Sequence, residues 1–280
     1  MYRVLIVILA TTGLFLSACQ TPPTAADEGP TATARKDEPT QPAATEVPPV
    51  EPTSPPDANL QQPAPERVEF SSEDGIPLVG TYYRSIIEGA PGLVLVHMLG
   101  SNRTVWEPYA LQWQVGEVVG PFNVLAIDLR GHGESGGEAN NRAAFPIDVS
   151  SALAWIREQP GVDRDHIVLI GASIGADSVA DSCSEGCIGI VSLSPGSFTT
   201  IPYSDAVAAL AAAHSPSVLC VAAESDVPSP GTCEEGRTAG LADYQIQIYP
   251  GSAHGTNMFG QGYTPPLDTL IDEFLRNVVN

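Results

Sequence analysis

The chain has 280 residues, with 33 Asp and Glu against 12 Lys and Arg, for a net charge of −21. So acidic a surface makes nucleic acid a poor partner and would repel anionic lipid. Composition divides the chain into an apolar leader at 1–18, a Pro/Thr/Ala/Glu-rich stretch at 19–66, and a region at 67–280 whose strand and helix periodicity suits a single packed core.

The leader carries Arg3, then an apolar run from Val4 to Leu16 that is too short for a comfortable bilayer span. It ends in Leu16-Ser17-Ala18-Cys19. This tetrapeptide resembles the lipobox of bacterial lipoproteins, which implies cleavage before Cys19, lipidation of Cys19 and an extracytoplasmic protein anchored to a membrane of the cell envelope. An ordinary cleaved signal peptide with a chance cysteine, or a membrane-spanning anchor without cleavage, are the alternative readings of the same residues. Residues 20–66 hold 12 of the 26 prolines and eight acids, without apolar periodicity. Such a segment cannot bury enough apolar surface to offset its ordering entropy, and is expected to be a disordered tether with a reach of roughly 40 Å.

From residue 67 onward, strands are expected at 67–70 and 78–84, paired around Ser72-Glu73-Asp74-Gly75. The apolar run Leu93-Val94-Leu95-Val96-His97 has the pattern of a strand buried on both faces. A helix is expected at 106–118, a buried strand at 122–128 and a helix at 148–158, closed by Pro160-Gly161. A strand at 166–171 runs into Gly171-Ala172-Ser173-Ile174-Gly175, with a small-residue helix following to 182. Further strands are expected at 188–193, 217–222 and 244–249, and an amphipathic helix at 267–279. Strands alternating with helices predict an α/β fold, a mostly parallel sheet covered on both faces. The interval 194–216 leaves room for one short helix and no large cap.

Gly-x-Ser-x-Gly between a strand and a helix places a serine on a tight turn with its hydroxyl projecting above the sheet. A serine hydroxyl is a weak nucleophile and needs a base, which needs an orienting carboxylate. His254 lies in a glycine-flanked loop directly after the last strand. The acid should follow the strand at 217–222, where Asp226 is favoured and Glu224 is the alternative. His97 suits a role in its own loop, while His132, His166 and His214 have ordinary structural readings. With nine arginines and no lysine at 67–280, a lysine Schiff base or Ser-Lys dyad is excluded there.

Gly131-His132-Gly133-Glu134-Ser135-Gly136 fits a dinucleotide fingerprint, but loop residues follow where a helix amino terminus should meet a pyrophosphate. No metal-ligand spacing is present either, so no cofactor is expected. Cys183, Cys187, Cys220 and Cys233 are an even set in a chain expected to be exported. Local pairing, Cys183 with Cys187 and Cys220 with Cys233, is the simplest of three connectivities, and buried free thiols are the alternative.

The order Ser173, Asp226, His254, the strand ending at His97, the loop Asp128-Leu129-Arg130-Gly131-His132-Gly133-Glu134-Ser135 and the serine turn together resemble the α/β-hydrolases, most closely the small dienelactone-hydrolase-like esterases. The resemblance covers nearly all of 67–280. It implies a serine hydrolase acting on a small-molecule ester or related acyl compound, with Ser173 as nucleophile, His254 as base and Asp226 as its orienting acid. It also implies an oxyanion hole made by the backbone amides of Ile174 and Leu99, with Met98 as fallback because methionine replaces the family's first glycine in His97-Met98-Leu99-Gly100. Pocket walls are expected from Met98, Trp106, Phe198, Tyr203 and Met258. A non-catalytic binding or scaffold lipoprotein on the same fold, or a serine peptidase, are the alternatives.

Overall fold

The computed structural model describes residues 62–116 and 118–280. The leader, Cys19 and most of the expected tether lie outside the described residues. Residues 62–66, which composition assigns to the tether, belong with the folded region. The Gln62 side chain donates to the Gln114 carbonyl at 2.7 Å, and Gln114 donates back to the Pro63 carbonyl at 2.9 Å.

Eight strands form one sheet: β1 (Glu66–Ser71), β2 (Pro77–Tyr83), β3 (Ala90–Val96), β4 (Asn123–Asp128), β5 (Val162–Ala172), β6 (Cys187–Leu193), β7 (Ser217–Ala223) and β8 (Tyr244–Tyr249). Their spatial order is β1-β2-β4-β3-β5-β6-β7-β8. Only the β1–β2 and β2–β4 pairs are antiparallel; the rest are parallel. The carboxyl ends of β3 to β8 therefore share one edge of the molecule, where ligands of such sheets bind.

Period-two alternation sends successive side chains of each strand to opposite faces. Val94, Val96, Ile167 and Leu169 pack under α2 (Phe145–Arg157), α3 (Ile174–Ser182), α4 (Tyr203–Ala213) and α5 (Ser229–Arg237). Leu93, Leu95, Val168 and Ile170 pack under α1 (Glu107–Val115) and α6 (Leu267–Val279). Helical spacing does the matching work: Phe145, Val149, Ala152, Leu153 and Ile156 form one buried stripe, and Leu267, Ile271, Phe274 and Leu275 another. α1 ends earlier than its apolar pattern suggests, because Gly116 takes a left-handed conformation (φ 77°) and caps it. Between β6 and β7 there is one helix, α4, so no cap domain rises from that connection.

The four cysteines pair locally. Cys183–Cys187 joins the end of α3 to the start of β6, and Cys220–Cys233 joins the middle of β7 to α5. Helix α5 was not expected from its sequence, Ser-Pro-Gly-Thr-Cys-Glu-Glu-Gly-Arg, whose two glycines are poor helix formers.

Candidate active site

At the end of β5, Ser173 has φ 55° and ψ −119°, a backbone conformation costing on the order of 1–3 kcal/mol for a residue with a side chain. It is held there by its N–H, which donates to the Leu193 carbonyl on β6 at 2.8 Å, and by its own carbonyl, which accepts from Ala176 at 2.8 Å. Both flanking glycines are required by close approach. A Cβ on Gly171 would lie 2.2 Å from the Gly175 carbonyl oxygen, and one on Gly175 would lie 2.7 Å from the carbonyl oxygens of Val96 and His97. Helix α3 thus starts almost in contact with the end of β3, and as its first residue Ile174 has an N–H with no intrahelical acceptor.

His254 and Asp226 come from neighbouring loops that are stitched together. Past the end of β7, Glu224 N–H donates to the Tyr249 carbonyl at 2.8 Å and Ser225 N–H to the Gly251 carbonyl at 2.9 Å. These bonds carry the β7–α5 loop alongside the loop after β8, and Asp226 meets His254 Nδ1 with Oδ1 at 2.8 Å and Oδ2 at 3.0 Å. The pair fixes the tautomer: Nδ1–H donates to the carboxylate, leaving the Nε2 lone pair free. Glu224 instead is exposed and borders a separate hollow with Val227 and Pro228. Ser194, at the end of β6 with φ 56°, accepts the N–H of Gly255 at 2.8 Å and so fixes the residue after His254.

The loop after β3 is a tight turn in which Ser101 N–H donates to the Met98 carbonyl and Gly100 has φ 74°. His97, wholly buried, braces it: Nδ1–H donates to the same carbonyl at 2.8 Å, and Nε2 accepts from Leu129 N–H at 3.1 Å. Burial pushes this imidazole down to about 4. The fingerprint-like glycines serve local packing. The Asp128 carboxylate, ion-paired to Arg103, occupies the space where a Cβ on Gly133 would fall. Gly131 lies equally tight against Ala139.

Ser173, Ile174, His254, Met98, Leu99, Phe198 and Arg142 line one cavity of about 290 Å³. Of the expected walls, Met98 and Phe198 are present. Trp106, Tyr203 and Met258 are not: all three are wholly buried in the two cores, because their apolar side chains are captured by the packing under α1 and α4 and behind the His254 loop. Three residues near the cavity escaped sequence reading. Arg142 sits in a 3₁₀ turn (Arg142–Ala144) before α2, and Ser194 and Asp177 act through loops distant in sequence. Among the described residues no group of three His, Cys, Asp or Glu is placed to hold a metal ion.

A family model described as "Alpha/beta hydrolase family" matches residues 93–219, a span that includes Ser173 and ends before Asp226 and His254. Uncharacterized protein YfhR of Escherichia coli is 30% identical over 136 residues, 47% of each chain. Thiohydrolase aneE of Aspergillus aculeatus is 32% identical over 120 residues, 41% of this chain and 36% of that protein. The chain thus spans less than half the length of either relative. The Pyrococcus furiosus esterase Pf2001 superposes with a TM-score of 0.60 at 17% identity, covering 78% of this chain and 92% of its own. Dienelactone hydrolase from Anabaena variabilis does so with a TM-score of 0.60 at 19% identity, covering 78% and 100%. The strand order, the serine turn and these superpositions agree with that match: the chain has the α/β-hydrolase fold.

Proposed function

We propose that the protein is a serine hydrolase that cleaves carboxylic esters or related acyl bonds, thioesters included, through an acyl-enzyme intermediate. The observation that carries this reading is the pairing of His254 with Asp226 beside a cavity that also holds the strained Ser173. Ser173 Oγ attacks the acyl carbonyl while His254 Nε2 takes its proton. Asp226 stabilises the imidazolium that forms. The tetrahedral oxyanion is met by the N–H of Ile174 and, from the turn after β3, that of Leu99, whose N–H the turn's own hydrogen bond does not use. His254 returns the proton to the departing alcohol or thiol, and water then repeats the sequence to release the acid. Removing one oxyanion donor typically costs about 10²–10³ in rate.

The proposed substrates are small esters or acyl compounds, since the cavity is open and among the described residues no cap encloses it. We place the protein in the cell envelope, anchored by lipid on Cys19. Supporting this are the leader's pattern and two disulfides, which persist in oxidising compartments. A fluorophosphonate probe is expected to label wild type at Ser173, and Ser173→Ala should lose both labelling and at least 10³-fold in ester turnover. Ester turnover surviving in Ser173→Ala would overturn the reading, and a folded wild type that neither labels nor turns over any ester would favour a non-catalytic binding role.

A further inference from the structure

One buried ionisable group close to the cavity has no part in the chemistry above. Asp177 lies one turn past Ser173 on α3, is 1% exposed, and has no cationic partner among the described residues. Taking a lone carboxylate out of water is costly unless its oxygens are well satisfied. Here they are met by consecutive backbone donors of one segment. Oδ1 accepts from Gly196 and Ser197 N–H, each at 3.2 Å, and Oδ2 accepts from Phe198 N–H at 2.5 Å. Successive amides that converge in this way form a concavity suited to an anion, and the chain fills it with its own side chain. Burial pushes Asp177 up to about 6, so at neutral pH it is ionised and grips as an anion.

What the grip holds is a wall of the cavity. The 196–198 segment is strained, with Ser197 at φ 57°, and is fixed at its far side where Ser197 Oγ accepts from Tyr203 N–H at 3.0 Å. The Phe198 ring folds back over Gly196, where a Cβ would lie 2.2 Å from it. It then meets the His254 ring edge-on, with centroids 6.3 Å apart and planes at 74°. Phe198 faces the same cavity as Ser173. A fold that needed only a filled helix face would be better served by an apolar residue at position 177.

We propose that Asp177 is a positioning residue for substrate selection: by gripping the backbone of residues 196–198 it holds Phe198 against His254, and this wall limits the cavity to short acyl chains. The proposal rests on the hydrolase reading, and its test separates the two. Turnover of p-nitrophenyl acetate and octanoate by wild type is measured first and speaks to the hydrolase reading alone. Wild type should prefer acetate. Phe198→Ala should raise the octanoate-to-acetate ratio of kcat/KM at least tenfold. Asp177→Asn keeps one acceptor oxygen but turns an NH₂ toward a donor, and should shift the ratio in the same direction, chiefly through the KM for octanoate. Combined with Phe198→Ala, it should add nothing to that ratio. Equal losses on both esters, or independent shifts that multiply in the double variant, would mean that Asp177 serves the fold and not the wall. Should Asp177→Asn not fold, Asp177→Glu, which keeps the charge but displaces the segment, takes its place with the same expected shift. Hydrogen exchange of the wild type reads the grip without any variant or turnover. The amides of Gly196, Ser197 and Phe198 should exchange at least 100-fold more slowly at pH 7.5 than those of an open loop, and exchange at loop rates overturns the proposal.

Discussion

His97 and Asp177 are both buried beneath the site, and burial drives their titrations in opposite senses. His97 needs its neutral ring, since one nitrogen donates to Met98 and the other accepts from Leu129. It is pushed down to about 4, whereas in the unfolded chain it titrates near the ordinary ~6.5. Its contribution to stability is therefore present above about pH 6.5 and is lost as pH falls toward 4, on the order of 3 kcal/mol in full. Asp177 is raised to about 6 from an ordinary ~3.9, so folding favours its protonated form and its contribution weakens as pH climbs between those values. The two trends oppose each other over one window. Replacing His97 by glutamine, which takes up no proton, should cost most at pH 7.5, and that cost should shrink by about 2 kcal/mol at pH 4.5. Urea unfolding at both pH values checks this, and a pH-independent cost would refute the buried neutral imidazole. Residues of this kind are hard to read from sequence. Ser173 announces itself through its glycines, but Ser194 and Asp177 acquire their roles only when the strand ends converge, and nothing adjacent to them in the chain signals it.

At the scale of elements, local pattern sufficed wherever burial is periodic. The continuous apolar runs of β3 to β7 and the stripes of α2 and α6 are legible because one side-chain period dominates each. Helix α5 is the exception, since two glycines and a proline lower its propensity and its position comes from a covalent tie to β7. That tie encloses the loop bearing Asp226. Chain entropy assigns about 3 kcal/mol to a closure of this size and about 2 kcal/mol to the shorter Cys183–Cys187 link. Thermal unfolding should therefore separate the paired serine variants only modestly. Their activities should differ more. Cys220→Ser/Cys233→Ser frees the acid's loop and should lose turnover at temperatures where the sheet is still folded, while Cys183→Ser/Cys187→Ser should lose turnover only as the molecule melts. Parallel melting and activity curves for both pairs would show that the β7–α5 link has no special bearing on Asp226.

For the molecule as a whole, the order of strands and helices was enough to expect a mostly parallel sheet. The pocket walls were less legible: aromatic residues that looked available, Trp106 and Tyr203, were claimed by the two cores. Size explains the error, because a large apolar side chain gains most by full burial. Residues 67–280 also carry 25 acids against nine arginines, a charge that opposes adsorption to anionic lipid. On the proposed lipid anchor, membrane association would rest on acyl chains on Cys19, at about 0.8 kcal/mol per buried CH₂, and not on the protein surface. Cys19→Ser should move the protein from the membrane to the soluble fraction on cell fractionation while leaving ester turnover intact. Retention of that variant on membranes would remove the lipid anchor from the proposal.

The contact between Gly171, Gly175 and the end of β3 also bears on how such a site can evolve. Any single-base change that replaces a glycine codon by that of another amino acid adds at least a Cβ, and at these two positions a Cβ falls inside van der Waals contact distance of a backbone carbonyl oxygen. The turn bearing Ser173 is thus closed to gradual drift, one mutation at a time. Leu99 and Arg142, which reach the same cavity from exposed positions, meet no such barrier. A single substitution that reshapes the cavity is therefore accommodated at its rim and not at the turn that carries Ser173.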